Sequence, residues 1–69
     1  MGLQTILFPR SKFSVHDATM WLMQHKYHAV KVDMTENFLR FRQQDPLGSG
    51  KYYTHTLNNG IELVYQQPF

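Results

Sequence analysis

The sequence predicts a small α+β domain in which one amphipathic helix packs on a small, largely antiparallel sheet. Three observations support this class: one apolar stripe at helical spacing, several short stretches of alternating residues, and an Asn-Gly turn between two such stretches. The 69 residues form one domain, residues 1–69, because a chain of this length has room for only one core. The predicted element order is β-α-β-β-β-β.

The first predicted strand, residues 4–8, is a β-favouring apolar run that ends at Pro9. A proline is compatible with an edge strand or a strand end, and not with a central strand. After a basic loop, Ser14 and Asp17 have the spacing of a capping box and predict a helix from residue 15 to residue 25 or 26. Its predicted core face carries Val15, Ala18, Leu22 and His25 with Trp21 on the flank, and its outer face carries His16, Asp17, Met20 and Gln24.

Four strands are predicted after the helix. Residues 28–32 form the first, with Val30 and Val32 on one face, and residues 33–37 form a polar turn. Residues 38–43 alternate, so that Leu39 and Phe41 face the core. A loop at 45–50 leads to a hairpin of residues 51–57 and 61–65 around Asn58-Asn59-Gly60, with Ile61, Leu63 and Tyr65 on one face and residues 66–69 as a frayed end. The helix covers one sheet face, so function is expected on the other.

Several chemistries are not expected for this chain. The absence of cysteine excludes disulfides and thiolate zinc sites. His25 and His28 are two residues apart, but the second lies beyond the expected helix end, so His25 is expected to pack or to cap the helix and no metal is predicted. The Gly48–Lys51 stretch leads into a strand and not into a helix, so it is no phosphate loop. With little volume to enclose a pocket of about 300 Å³, the chain is predicted to be no enzyme and to need no cofactor.

The strand at 38–43 carries the main candidate site. Phe38, Arg40 and Arg42 share one face, and such a row suits stacking on bases and contact with phosphates. Lys31 and either Arg10 or Lys12 are expected to widen the positive area. Two alternatives stay open: Arg40 and Arg42 pair with acidic neighbours while Phe38 closes the core edge, or the row contacts a protein. The acidic candidates are Glu36, Glu62 and Asp45.

A second candidate surface lies on the helix. Met20 and Met23, with His16, are unusual on a solvated face, and thioethers adapt to varied partners. The surface suggests a protein partner or a homodimer, and an exposed strand edge would serve the same purpose. Packing at the flank of the core is the more ordinary account of Met23. No run approaches the roughly 20 apolar residues of a membrane span, so no membrane association is expected.

The chain also resembles a known type of module. The resemblance rests on FPRSKF at 8–13, on Ala18, Trp21, Leu22, His25 and Tyr27, on KVD at 31–33, on TEN at 35–37 and on RFRQ at 40–43, and it extends to the hairpin. These residues resemble a short module, without an assigned biochemical role, in proteins of tailed phages and some large DNA viruses. The resemblance implies a viral or phage accessory protein that acts by binding within an infected cell or a virion. It implies no catalytic residue. The first residues lack the apolar run of a signal peptide and break at Pro9, so the expected location is the cytoplasm or nucleus of a host cell or the virion, and the chain is not expected to be secreted.

Overall fold

One helix packs against one five-stranded antiparallel sheet, which confirms the predicted α+β class and element order. The computed structural model describes residues 2–29 and 31–68. Within them, the elements are β1 (Gly2–Pro9), α1 (Val15–Gln24), β2 (Val32–Met34), β3 (Phe38–Arg42), β4 (Lys51–Thr56) and β5 (Glu62–Gln67).

The strand order is β2-β3-β1-β5-β4, and β1 is therefore the central strand. The expectation that a strand with Pro9 is not central is wrong, whereas the expected position of Pro9 at a strand end is confirmed. Arg10 donates its N–H to the Asn37 carbonyl on the β3 side, so the preceding nitrogen, that of Pro9, points towards the β5 side. There, Pro9 lies two residues beyond Leu7, the last residue of β1 that pairs with β5. The missing N–H of the proline therefore removes no hydrogen bond from the sheet. The strand β3 separates β1 from β2, so no parallel pair forms across the helix.

The core lies between α1 and the three middle strands. Its buried apolar side chains are Ile6, Phe8, Ala18, Leu22, Leu39, Phe41, Ile61 and Leu63. The ring of Phe8 lies at the centre of an aromatic cluster, with edge-to-face contacts at centroid distances of 5.4, 5.6 and 5.5 Å to Phe13, Trp21 and Phe41. Each such contact contributes about 0.5–1.5 kcal/mol beyond the area buried. Large rings therefore give a short chain a dense core.

The predicted capping box of α1 is present. The backbone N–H of Asp17 donates to the Ser14 hydroxyl, and the Asp17 carboxylate accepts from the Ser14 N–H. At the other end the Tyr27 N–H donates to the Leu22 carbonyl and the Lys26 N–H to the Met23 carbonyl, which is a Schellman motif. Lys26 occupies the left-handed position of this motif, with φ of 63°. The helix therefore ends at Gln24, slightly earlier than predicted.

The ends of the predicted apolar stripe are more exposed than expected. Only Ala18 and Leu22 of the helix are fully buried, while Val15 and His25 are exposed. A ten-residue helix is about 15 Å long, and its middle turns are the part that lies over the sheet. His25 instead caps the helix: its ring Nδ1 donates to the Trp21 carbonyl at 2.8 Å, and the ring stacks on the indole at 3.9 Å.

The strand predicted at 28–32 is mostly wrong. His28, Ala29 and Lys31 are not in a strand, and Val30 lies outside the described residues. The strand is Val32–Met34, so the predicted turn at 33–37 shrinks to 35–37. Pairing explains the shift, because Asp33 and Met34 lie opposite Arg40 and Leu39 and thereby satisfy the backbone of β3.

The β4–β5 hairpin forms where the Asn-Gly signal predicts it. The Leu57 N–H donates to the Ile61 carbonyl, and Gly60 takes a φ of 89° that glycine adopts without strain. The frayed end predicted at 66–69 is wrong for its first two residues, because β5 continues to Gln67 and Gln66 is buried. Phe69 lies outside the described residues.

Candidate functional site

The sheet face opposite α1, called the free face below, carries Phe38, Arg40 and Arg42 in a row. The strand alternates as predicted: Leu39 and Phe41 are buried under the helix, whereas Arg40 and Arg42 are exposed and Phe38 is half-buried. The register sets the neighbours of the row. Leu7 of β1 lies opposite Arg40, and Thr5 lies opposite Arg42.

An open depression of about 470 Å³ lies on this face. Besides the row itself, its lining includes Leu7, Val64 and Tyr52. Leu7 and Val64 are half-buried and give the depression an apolar floor, while Tyr52 is 48% exposed on the far strand β4. The volume exceeds the value expected for so short a chain because the depression is a surface feature and not an enclosed pocket. Sequence reasoning missed these three residues, since it did not determine which strands are neighbours.

The two arginines of the row differ in their electrostatic surroundings. The Arg40 guanidinium lies 3.5 Å from the Asp33 carboxylate, with side-chain exposures of 46% and 38%. None of the expected acidic partners makes this contact; the shift of β2 brings Asp33 into register with Arg40. Exposed pairs of this kind contribute only about 0–1 kcal/mol, so a ligand can displace the carboxylate. Within residues 2–29 and 31–68, Arg42 makes no ion pair.

The three additional basic residues are dispersed around the row. Lys31 shares an open depression of about 400 Å³ with Arg42, and His28, Asp33 and Asp45 contribute to its lining. Arg10 is at the Phe38 end, where its guanidinium donates to the Thr35 carbonyl at 2.8 Å. The Lys12 side chain runs beside Gly60 at the hairpin turn. The structure thus brings Lys31 to one end of the row and Arg10 to the other, and it places Lys12 at the turn between β4 and β5.

A network of glutamines, which the sequence reasoning missed, holds the loop that bounds the free face. Between β3 and β4 the chain must cross the ends of β1 and β5. The buried Gln66 amide accepts from the Leu47 N–H and donates to the Asp45 carbonyl, both at 3.0 Å. Gln4, also buried, donates to the Gln44 carbonyl at 3.1 Å. Pro46, which lies between the two residues that Gln66 binds, lines the depression. Three glutamines scattered along the chain, Gln4, Gln44 and Gln66, give no signal for such a network.

Gln43 forms a second brace. Its amide donates to the His28 carbonyl and accepts from the His28 N–H, both at 2.8 Å. This two-way contact fixes His28 against the end of β3. His28 is therefore held where it lines the same depression as Lys31 and Arg42.

The helix surface proposed for a partner is exposed. Met20 is 42% exposed and Met23 is 62% exposed, and His16 lies one turn before Met20. The account of Met23 as packing at the flank of the core is wrong, because its direction on the helix is well away from Ala18 and Leu22. These three residues form one continuous surface on the side of the molecule opposite the free face.

Two further observations concern other kinds of site. Among residues 2–29 and 31–68, no three histidine or acidic side chains come together as metal ligands would. No described helix is long and apolar enough to cross a membrane.

A comparison of the chain with protein-family models, curated proteins and solved structures gives no match. The resemblance to a phage and viral module therefore stays a prediction.

Proposed function

We propose that this chain is a non-catalytic interaction module that binds single-stranded nucleic acid on its free face. The observation that carries the proposal is the uncovered row of Phe38, Arg40 and Arg42 beside an open depression with an apolar floor. A viral or phage origin, with a site of action in the host cell or the virion, is the further part that the sequence resemblance suggests.

Stacking supplies the first part of the binding energy. Phe38 lies in a paired strand and its side chain is half-buried, so its ring has little freedom left to lose when a base stacks on it. Guanidinium planes also stack on bases, and Arg40 and Arg42 follow at intervals of about 6.6–7 Å along the strand. That interval lies close to the spacing of bases in an extended single strand, whereas a duplex presents no free base faces.

Electrostatics supplies the second part. Arg42 makes no ion pair in the described part of the chain, and Lys31 adds positive charge at the Arg42 end of the row. Asp33 and the half-buried Glu62 offset part of this charge on the same face. We therefore expect two or three phosphate contacts and moderate affinity. Between about 50 and 200 mM salt, that number of contacts weakens single-strand binding by about seven- to twentyfold.

The test is fluorescence anisotropy with a labelled single-stranded oligonucleotide of about 12 nucleotides, within the usual site size of such surfaces. Arg40→Ala with Arg42→Ala is expected to abolish binding and to leave the fold intact, because both side chains are exposed. Lys26→Asn with Lys51→Ala is the matched control. It removes the same charge from exposed residues outside the row, and asparagine accepts the positive φ of Lys26.

A third variant separates stacking from charge. Phe38→Leu keeps an apolar side chain at a half-buried position and removes the ring. Base stacking contributes about 1–3 kcal/mol per base, so we expect affinity to fall about 5- to 140-fold with an unchanged salt dependence. Equal affinities for the double arginine variant and its lysine control would contradict the proposal, as would a chain that binds no oligonucleotide.

The second candidate function is binding to a protein or to a second copy of the chain, as a virion or assembly protein would do. The exposed Met20 and Met23 favour it. An amide chemical-shift titration with single- and double-stranded DNA separates the candidates. Shifts along β1, β3 and β5 that single strands alone produce support the first, and no shift with either DNA contradicts it.

A further inference from the structure

The edge strand β4 is exposed along its whole length. All six of its residues are exposed, on both faces of the sheet, because α1 lies over β1, β3 and β5 and does not reach β4. Natural edge strands are normally protected by shortness, charge, proline or a bulge. The opposite edge, β2, has only three residues and includes Asp33. In contrast, β4 has no proline and no formally charged residue from Tyr52 to Thr56.

The hairpin geometry determines which backbone groups of β4 point outward. Leu57 donates its N–H to Ile61, so the residues of β4 in phase with Leu57 bond to β5. These are Lys51, Tyr53 and His55. In an antiparallel pair the intervening residues direct N–H and C=O away from the partner strand. The free edge is therefore formed by Tyr52, Thr54 and Thr56.

This outward set is complementary to itself. When two copies of β4 run antiparallel about a two-fold axis at Thr54, Thr54 faces Thr54 of the second copy, and Tyr52 faces Thr56. Each of these pairs exchanges two N–H···O bonds, so all three outward residues of both copies are satisfied with six bonds. On the other face Tyr53 lies opposite His55, and no like charges meet. An axis at Tyr53 would leave Thr56 without a partner inside β4.

We propose that β4 pairs with β4 of a second copy, in antiparallel register about Thr54, to give a closed two-fold dimer with a continuous ten-stranded sheet. Closure consumes β4, the longer of the two edges of the sheet that residues 2–29 and 31–68 form, so the dimer does not extend into a fibre. Six residues per copy are far fewer than the about 20–30 per side of a stable interface, and we therefore expect a weak dimer. The inference does not depend on nucleic-acid binding, and its test measures association alone.

Sedimentation of the wild-type chain from about 10 µM to 1 mM covers the range of such weak affinities. We expect the weight-average mass to rise towards twice that of the monomer. Thr54→Pro removes the central outward N–H, and its fold is expected to persist because that N–H does not bond to β5. Thr54→Val is the matched control, since it keeps the N–H and the β-branched shape. Thr54→Pro is expected to stay monomeric and Thr54→Val to associate like the wild type.

Disulfide trapping tests the register and does not depend on the proline variant. The chain has no cysteine, so each variant carries a single thiol. In Thr54→Cys the two Cα atoms would lie about 5.5 Å apart, within disulfide range. In Thr56→Cys they would be offset by four residues, about 13 Å. We expect Thr54→Cys to cross-link at least about tenfold faster than Thr56→Cys, because only the former brings the thiols within reach. Thr56→Cys is expected to cross-link efficiently when mixed with Tyr52→Cys.

Two results would overturn the proposal. One is a wild-type chain that is monomeric up to about 1 mM, which would leave the β4 edge to an extended segment of another protein. The other is equal cross-linking rates for Thr54→Cys and Thr56→Cys, which would show that any association uses a different register or surface.

Discussion

Replacement of Gln66 by methionine tests whether the glutamine network stabilises the fold. Methionine has nearly the shape of glutamine, so Gln66→Met retains the packing of this buried side chain and removes its hydrogen bonds. Two short bonds are lost, to the Leu47 N–H and the Asp45 carbonyl, both 3.0 Å long, together with a longer one of 3.4 Å to the Gln44 amide oxygen. The two short bonds contribute about 0.5–1.5 kcal/mol each, so their loss lowers the free energy of unfolding by about 1–3 kcal/mol. A domain of this size has roughly 3–10 kcal/mol in total, so the loss is substantial.

Thermal unfolding followed by circular dichroism measures this effect. The expected decrease in Tm is about 4–24 °C, since 1 kcal/mol corresponds to about 4–8 °C in a domain of 60–100 residues. Gln67→Met is the matched control, because Gln67 is adjacent and exposed, and its change should stay within about 0.5 kcal/mol. Hydrogen exchange supplies a local measurement: the Leu47 amide should lose protection in Gln66→Met alone. Equal Tm values for the two variants would refute the role assigned to the network.

Two further changes test the turns. Gly60→Ala is expected to lower the free energy of unfolding by about 1–3 kcal/mol, because Gly60 has a φ of 89° and an added Cβ would lie 3.1 Å from Pro9 Cγ. The control is Gly48→Ala, because an added Cβ there meets nothing within 4 Å. Urea unfolding compares the two variants, and equal midpoints would contradict the account of the hairpin. Lys26→Gly is expected to raise the free energy of unfolding by about 1 kcal/mol, because it relieves the left-handed backbone of a non-glycine residue. Met20→Gly, in the interior of α1, should instead lower it by at least about 1 kcal/mol, and a loss of stability in both variants would show that Lys26 is not strained.

Local patterns in the sequence determined the elements whose causes are local. Ser14 and Asp17 set the start of the helix because a capping box needs only neighbouring residues. Asn59 and Gly60 set the hairpin because glycine alone adopts the required backbone without strain. The alternation from Phe38 to Arg42 separated core from free face because successive side chains of a strand point to opposite faces. Of the candidate site, the sequence therefore predicted the row itself.

The tertiary structure decided what depends on residues distant in the sequence. Strand order and register determine the central position of β1, the start of β2 at Val32 and the pairing of Arg40 with Asp33. Local propensity carries no information about either. The burial of Gln66 has the same origin, because its amide is needed only where the β3–β4 connection crosses the end of the sheet. The open edge of β4 also appears only when the strands are assembled. It exists because β4 is the last strand in the sheet order and pairs on one side only, with β5, while the ten-residue helix leaves its face exposed as well.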